Sequence, residues 1–116
     1  MSYSVVYEKD LLYPTDSLYE PGSVRVKILD PNKKAKIPVI VESRTGHSPL
    51  DYIESVLNVI QTDVLNRVHL DVKKNVLLYF KVNETMEEKY PNKKYIIVSC
   101  DNDKIECLGV DEIDFE

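Results

Sequence analysis

The sequence predicts an α+β fold: a mostly antiparallel sheet of about five strands with one long helix packed on one face, in two layers. Three observations carry that expectation. Residues 48–67 place apolar side chains at helical spacing. Short runs on either side of that stretch alternate in strand fashion. Clusters of Pro, Asn, Asp and Gly separate the runs. The implied order is a weak strand, two strands, the helix, then three strands.

The helix has a start, a face and an end. Ser48 is an N-cap residue type, and Pro49 suits the first helical position, where a missing N–H costs nothing. Asp51 favours the positive end of the helix dipole. Ile53, Val56, Leu57, Ile60 and Val64 form one stripe, bordered by Leu50 and Leu65. Glu54, Asn58, Gln61 and Asp63 lie mostly off it, and Arg67 stands near the C-terminal end.

Residues 1–22 hold Tyr3, Tyr7, Tyr13 and Tyr19 and read as a tyrosine-rich arm or edge strand, with a short strand over 2–7. Pro14, Pro21 and Gly22 make the rest of that stretch irregular. Residues 24–29 put Val24, Val26 and Ile28 on one face and Arg25 and Lys27 on the other. The next strand, 37–42, contains Pro38, which donates nothing to a ladder, so an edge or bulged position is expected. Lys73, Lys74 and Asn75 read as a polar turn. Residues 76–82 are apolar on both faces, as in a central strand covered on both sides. Residues 83–90 read as a loop with a helical turn. Residues 95–100 and 104–108 form a closing hairpin with Ile96, Val98, Cys100, Ile105 and Cys107 on its inner face. The acidic tail, 110–116, either frays, adds an edge strand or docks on a partner, fraying being the expectation.

Composition narrows the class. A chain of 116 residues with 43% hydrophobic residues supports one core and one domain. A formal charge of −5 disfavours non-specific binding to nucleic acid or anionic membrane. No apolar run reaches the roughly 20 residues that span a bilayer. The first residues lack the basic-then-apolar order of a signal peptide, so a cytoplasmic location is expected. Cys100 and Cys107 share a hairpin face without being directly opposed, which reads as two small buried hydrophobes rather than a redox pair or half a metal site. His47 and His69 have no cysteine at metal-ligand spacing, and no cofactor or metal motif is found. Pro-Asn-Lys-Lys occurs at 31–34 and 91–94, each time before a strand, which shared turn chemistry explains as well as duplication. Should both turns lie at one end of the sheet, four lysines would gather there.

The one stretch with chemical potential is 43–48, between a strand and the helix start. Such a junction offers free N–H groups and a positive dipole end to an anion. Ser43, Thr45 and Ser48 add hydroxyls, Arg44 a planar cation and His47 a group that titrates near neutral pH. The structural alternative is a capping loop whose polar groups satisfy the helix end. Neither a phosphate-loop motif nor a nucleophile elbow occurs, and no catalytic set is assigned.

The sequence therefore points to a protein-interaction or regulatory module that self-associates as a homodimer or meets a protein partner, and leans away from an enzyme. Small-anion or nucleotide binding at 43–48 is the alternative. Nucleic-acid association through paired lysines comes third. The dimer expectation rests on geometry: one helix is roughly 10 Å wide, five strands span about 20–25 Å, and one sheet face is left to the arm, to curvature or to another subunit.

Overall fold

The computed structural model describes residues 4–16, 18, 20–31, 36–101 and 103–113. Strands β1 (Val5–Tyr13), β2 (Gly22–Leu29) and β3 (Ile37–Ser43) precede helix α1 (Ile53–Asp63). A short helical turn α2 (Val72–Asn75), strand β4 (Val76–Lys81), a second turn α3 (Glu84–Glu87) and strands β5 (Tyr95–Asp101) and β6 (Lys104–Val110) complete the chain. The strands form one sheet in sequence order. All neighbours are antiparallel except β3 and β4. That parallel pair needs a crossover, and α1 supplies it. The fold is α+β, as the sequence predicts, with six strands among the described residues where about five were expected.

The weak first strand is a full edge strand, nine residues long and shifted to Val5–Tyr13. Its end explains Gly22. Tyr13 stands opposite Gly22, and a Cβ built on Gly22 would lie 2.1 Å from the Tyr13 ring. The bare glycine lets the ring lie flat across β2. Tyr3 and Tyr19 lie outside the described residues, as do three of the four residues of the first Pro-Asn-Lys-Lys turn.

Pro38 overturns the edge expectation, because β3 is central. The register shows why a proline is tolerated there. The β2 ladder ends at Ile28↔Val39, so Pro38 lies one residue beyond it and pairs only with Leu77 of β4. β4 is central too, apolar on both faces, and ends at Lys81 rather than Val82.

The expected helix over 48–67 is shorter. α1 has 11 residues, with single 3₁₀ turns at Pro49–Tyr52 and Leu65–Val68. Val56, Leu57, Ile60, Val64 and Leu65 are buried, and Ile53 is half-buried against the same core. Val64 and Leu65 are adjacent, and a straight helix would turn one of them away by about 100°. Leaving helical geometry at Val64 (φ −123°) accompanies burial of both. His69, at φ 56°, then reverses the chain. Gln61 clamps the return. Its Nε2 donates to Asn66 Oδ1 (2.7 Å) and the Leu70 carbonyl (2.8 Å), and its Oε1 accepts from Val72 N–H (2.8 Å). The expected polar turn at 73–75 is α2, which Asp71 caps by accepting from the Lys73 and Lys74 N–H groups.

The helix-side core joins Leu11, Tyr13, Val24, Val26, Val39, Val41, Leu78, Phe80, Ile96 and Val98 to the α1 stripe. Cys100, Ile105 and Cys107 flank it, so the hairpin's inner face is as the alternation predicts. The opposite face carries a second cluster of Leu29, Ile40, Tyr79 and Ile113. Ile113 belongs to the acidic tail, which folds back after β6 instead of fraying at that point, and is 8% exposed. Residues 114–116 lie outside the described part. Part of the second face is thus closed by the tail.

Candidate functional site

The loop after β3 is built from its own backbone. Arg44 N–H donates to the Ser23 carbonyl at 2.7 Å, which carries the β2–β3 ladder one step further. The chain then turns tightly. The Ser43 hydroxyl lies 2.6 Å from the Thr45 carbonyl and 3.0 Å from the His47 carbonyl, so its one proton is held inside the loop. Asn83 Nδ2 donates to the His47 carbonyl (3.2 Å), and the Thr85 hydroxyl donates to the Gly46 carbonyl (2.8 Å). Asn83 also caps α3 through Met86 N–H at 2.9 Å. The loop and α3 therefore brace each other across 36 or more residues of sequence.

The five residues singled out in the sequence stand together along the chain but not around one cavity. Ser43, Thr45 and His47 are half-buried, Ser48 is buried and Arg44 is exposed. Ser48 precedes the 3₁₀ turn with extended backbone, and its side chain makes no capping bond. The cap expected of its hydroxyl is replaced by a main-chain bond, Asp51 N–H to the Ser48 carbonyl at 3.2 Å. The Thr45 hydroxyl is buried with no hydrogen-bond partner. The charge of Arg44 acts on Asp10, helping Arg25 to hold that carboxyl below its ordinary value. A shallow cavity of about 180 Å³ borders the loop, and of the five residues it includes Ser48 alone. Its charged walls are Asp51, Glu88 and Lys89, a net negative set that opposes an anion.

A second cavity of about 210 Å³ lies between α1 and α2, with Leu57 and Val72 at its base and Glu54, Asp71 and Lys73 around it. Lys73 Nζ approaches Glu54 Oε1 to 3.6 Å beside it. Among the described residues, no group of three metal-ligating side chains is found. Cys100 and Cys107 are free thiols, and burial pushes both up from the ordinary thiol value.

The outer face of the sheet divides in two. Over β1 to β4 it carries charge: Arg25 pairs with Asp10 (2.9 Å) and Glu8 (3.4 Å), and Glu42 is shared by Lys27 (4.0 Å) and Lys81 (3.7 Å). Beside these charges lies an apolar cluster of Leu29, Ile40 and Tyr79 that continues to Val110 on β6, a strand that also turns Lys104 and Glu106 to this face. Tyr79 and Tyr95 meet edge to face at 6.4 Å, and Ile97 and Val110 pack beside them. Leu108 stands opposite Ile97 and is 65% exposed. Sequence reading placed Ile97 and Leu108 in a hairpin but missed this patch, because it exists only once β4, β5 and the tail are side by side.

No helix among the described residues is long and apolar enough to cross a membrane. No family model matches the chain, and neither a curated protein nor a solved structure matches it.

Proposed function

We propose that this domain is a protein-interaction or regulatory module that acts without catalysis and self-associates. The observation that carries the reading is the split outer face. One half is a set of paired charges, and the other is an apolar cluster that runs out to an exposed leucine at the rim of the sheet. A half-buried apolar cluster that reaches an exposed leucine at a sheet rim is a candidate interaction surface. The loop at 43–48 supports the same reading. Its Ser43 hydroxyl is turned onto the loop's own carbonyls, and the neighbouring cavity sets Asp51 and Glu88 against Lys89 alone.

Light scattering across a micromolar concentration series tests this. The mass should rise toward twice the 13.4 kDa of one chain. A mass that stays at one chain throughout contradicts self-association.

Anion binding at 43–48 is kept as a second reading on one observation, the buried and unpartnered Thr45 hydroxyl. Phosphate titration followed by NMR tests it. Amide shifts centred on 45–50 that vanish in Arg44→Ala would support it, and their absence at millimolar phosphate would remove it.

A further inference from the structure

The two rims of the sheet differ, and the difference selects a surface and an occupant. Among the described residues, β1 and β6 each leave one row of backbone groups unpaired. β1 is protected in the ways edge strands usually are. Its register slips between Val5 and Tyr7, its centre is Glu8-Lys9-Asp10, and Pro14 comes immediately after it. Two copies of β1 laid antiparallel about the central Lys9 would set Glu8 against Asp10 in both directions. β6 has no slip and no proline, and its two charges, Lys104 and Glu106, leave its centre at Cys107 uncharged. Its seven residues pair with β5 without a slip, from Asp101↔Lys104 to Tyr95↔Val110.

The geometry points to β6 as the self-association edge, pairing antiparallel with β6 of a second copy about a two-fold axis at Cys107. This inference rests on the self-association proposed above and names its surface. The ladder fixes which groups are free. The two-residue turn closes on the 101–104 pair, so Lys104, Glu106, Leu108 and Val110 exchange bonds with β5. The N–H and C=O groups of Ile105, Cys107 and Gly109 are then aimed outward. A two-fold at Cys107 uses all three. Cys107 meets its twin, Ile105 meets Gly109, Glu106 meets Leu108 and Lys104 meets Val110. Within the paired strands no like charges are opposed, and one step beyond them Asp103 approaches both Asp111 and Lys93 of the second copy.

Two further features are self-complementary. On the outer face, Leu108 lies diagonally beside its twin, a separation of about 7–8 Å that leucine side chains bridge. That contact extends the apolar cluster of Ile97 and Val110 across the joint. At the ends, each acidic turn, with Asp101 and Asp103, comes beside the partner's Lys93 and Lys94. Lys93 already lies along Gly109 at the far end of β6, and Lys94 N–H bonds the Val110 carbonyl. The occupant is therefore a second copy of this chain rather than an unrelated strand.

A matched pair of variants tests the assignment. Leu12 on the outer face of β1 is 64% exposed and Leu108 is 65% exposed, so lysine at either should leave the fold intact. Leu108→Lys should raise the dimer dissociation constant at least about tenfold, while Leu12→Lys leaves it unchanged. In a Cys100→Ser background, a short bismaleimide should join Cys107 to Cys107, with a monofunctional maleimide confirming that the thiol reacts. A dimer that survives Leu108→Lys, or falls apart in Leu12→Lys, or whose reactive Cys107 does not cross-link, overturns the β6 assignment and leaves self-association standing. A wild-type chain that is monomeric at every concentration removes both.

Discussion

The two faces of this sheet are built from the same strands and are closed by different means. On the helix side, α1 and its flanking turns bury a continuous apolar layer drawn from all six strands. On the outer side, a smaller cluster is capped by Ile113, one residue of the tail, and the rest is paired charge or open surface. Strands alternate by residue, so each face samples a different half of the same sequence. The lesson is a division of labour. Odd positions in β1 and β3 and even positions in β2, β4 and β5 build the helix-side core, while the opposite set divides between the smaller outer cluster and the paired charges.

Breaking the helix-side face should have the largest effect. Leu57→Ala or Ile60→Ala should cost roughly 2–5 kcal/mol in urea melts, from lost transfer energy plus a cavity. A loss below about 1 kcal/mol would mean the stripe is not the keystone of the core. Ile113→Ala probes the outer face and should cost less, about 1–2 kcal/mol, because the tail can relax around the deletion. Equal costs at Leu57 and Ile113 would erase the distinction between the faces.

Tyr13→Phe sharpens the contrast from inside the core. The Tyr13 hydroxyl is buried without a partner, so its removal should be neutral or stabilising by up to about 1 kcal/mol. It also has a pH signature. Burial, with smaller contributions from Tyr52 and Asp51, raises the Tyr13 phenol above its ordinary value. A raised folded value leaves stability intact below the unfolded value and removes it as pH climbs past about 10. Thermal melts should show that alkaline loss in the wild type and a shallower one in Tyr13→Phe. The smallest effect belongs to the outer charges: Glu42→Gln should change stability by within about 0.5 kcal/mol, since half-exposed pairs contribute little.

Much of the fold was legible because alternation and helical spacing are local signals. Val24, Val26 and Ile28, the α1 stripe and the hairpin face through Cys107 could all be read from neighbours in sequence. The features that escaped were set by contacts distant in the chain. Pro38 is tolerated in a central strand because the β2 ladder stops one residue short of it. The helix ends early where Val64 and Leu65 are both buried. The role of Ile113 is invisible in an acidic tail until Tyr79 and Ile40 are placed beneath it. Asp71 was the exception, an N-cap residue type before Val72-Lys73-Lys74 that signalled α2 in plain view. The candidate loop was found as a segment, yet its internal bonding depends on Asn83 and Thr85, far along the chain.

The most direct test of the outer-face account is hydrogen exchange at the two rims as protein concentration rises. The outward N–H groups of Ile105, Cys107 and Gly109 should gain protection in step with the dimer fraction, while β1 amides exchange at an unchanged rate. Exchange at β6 that does not respond to concentration while the mass doubles would contradict it.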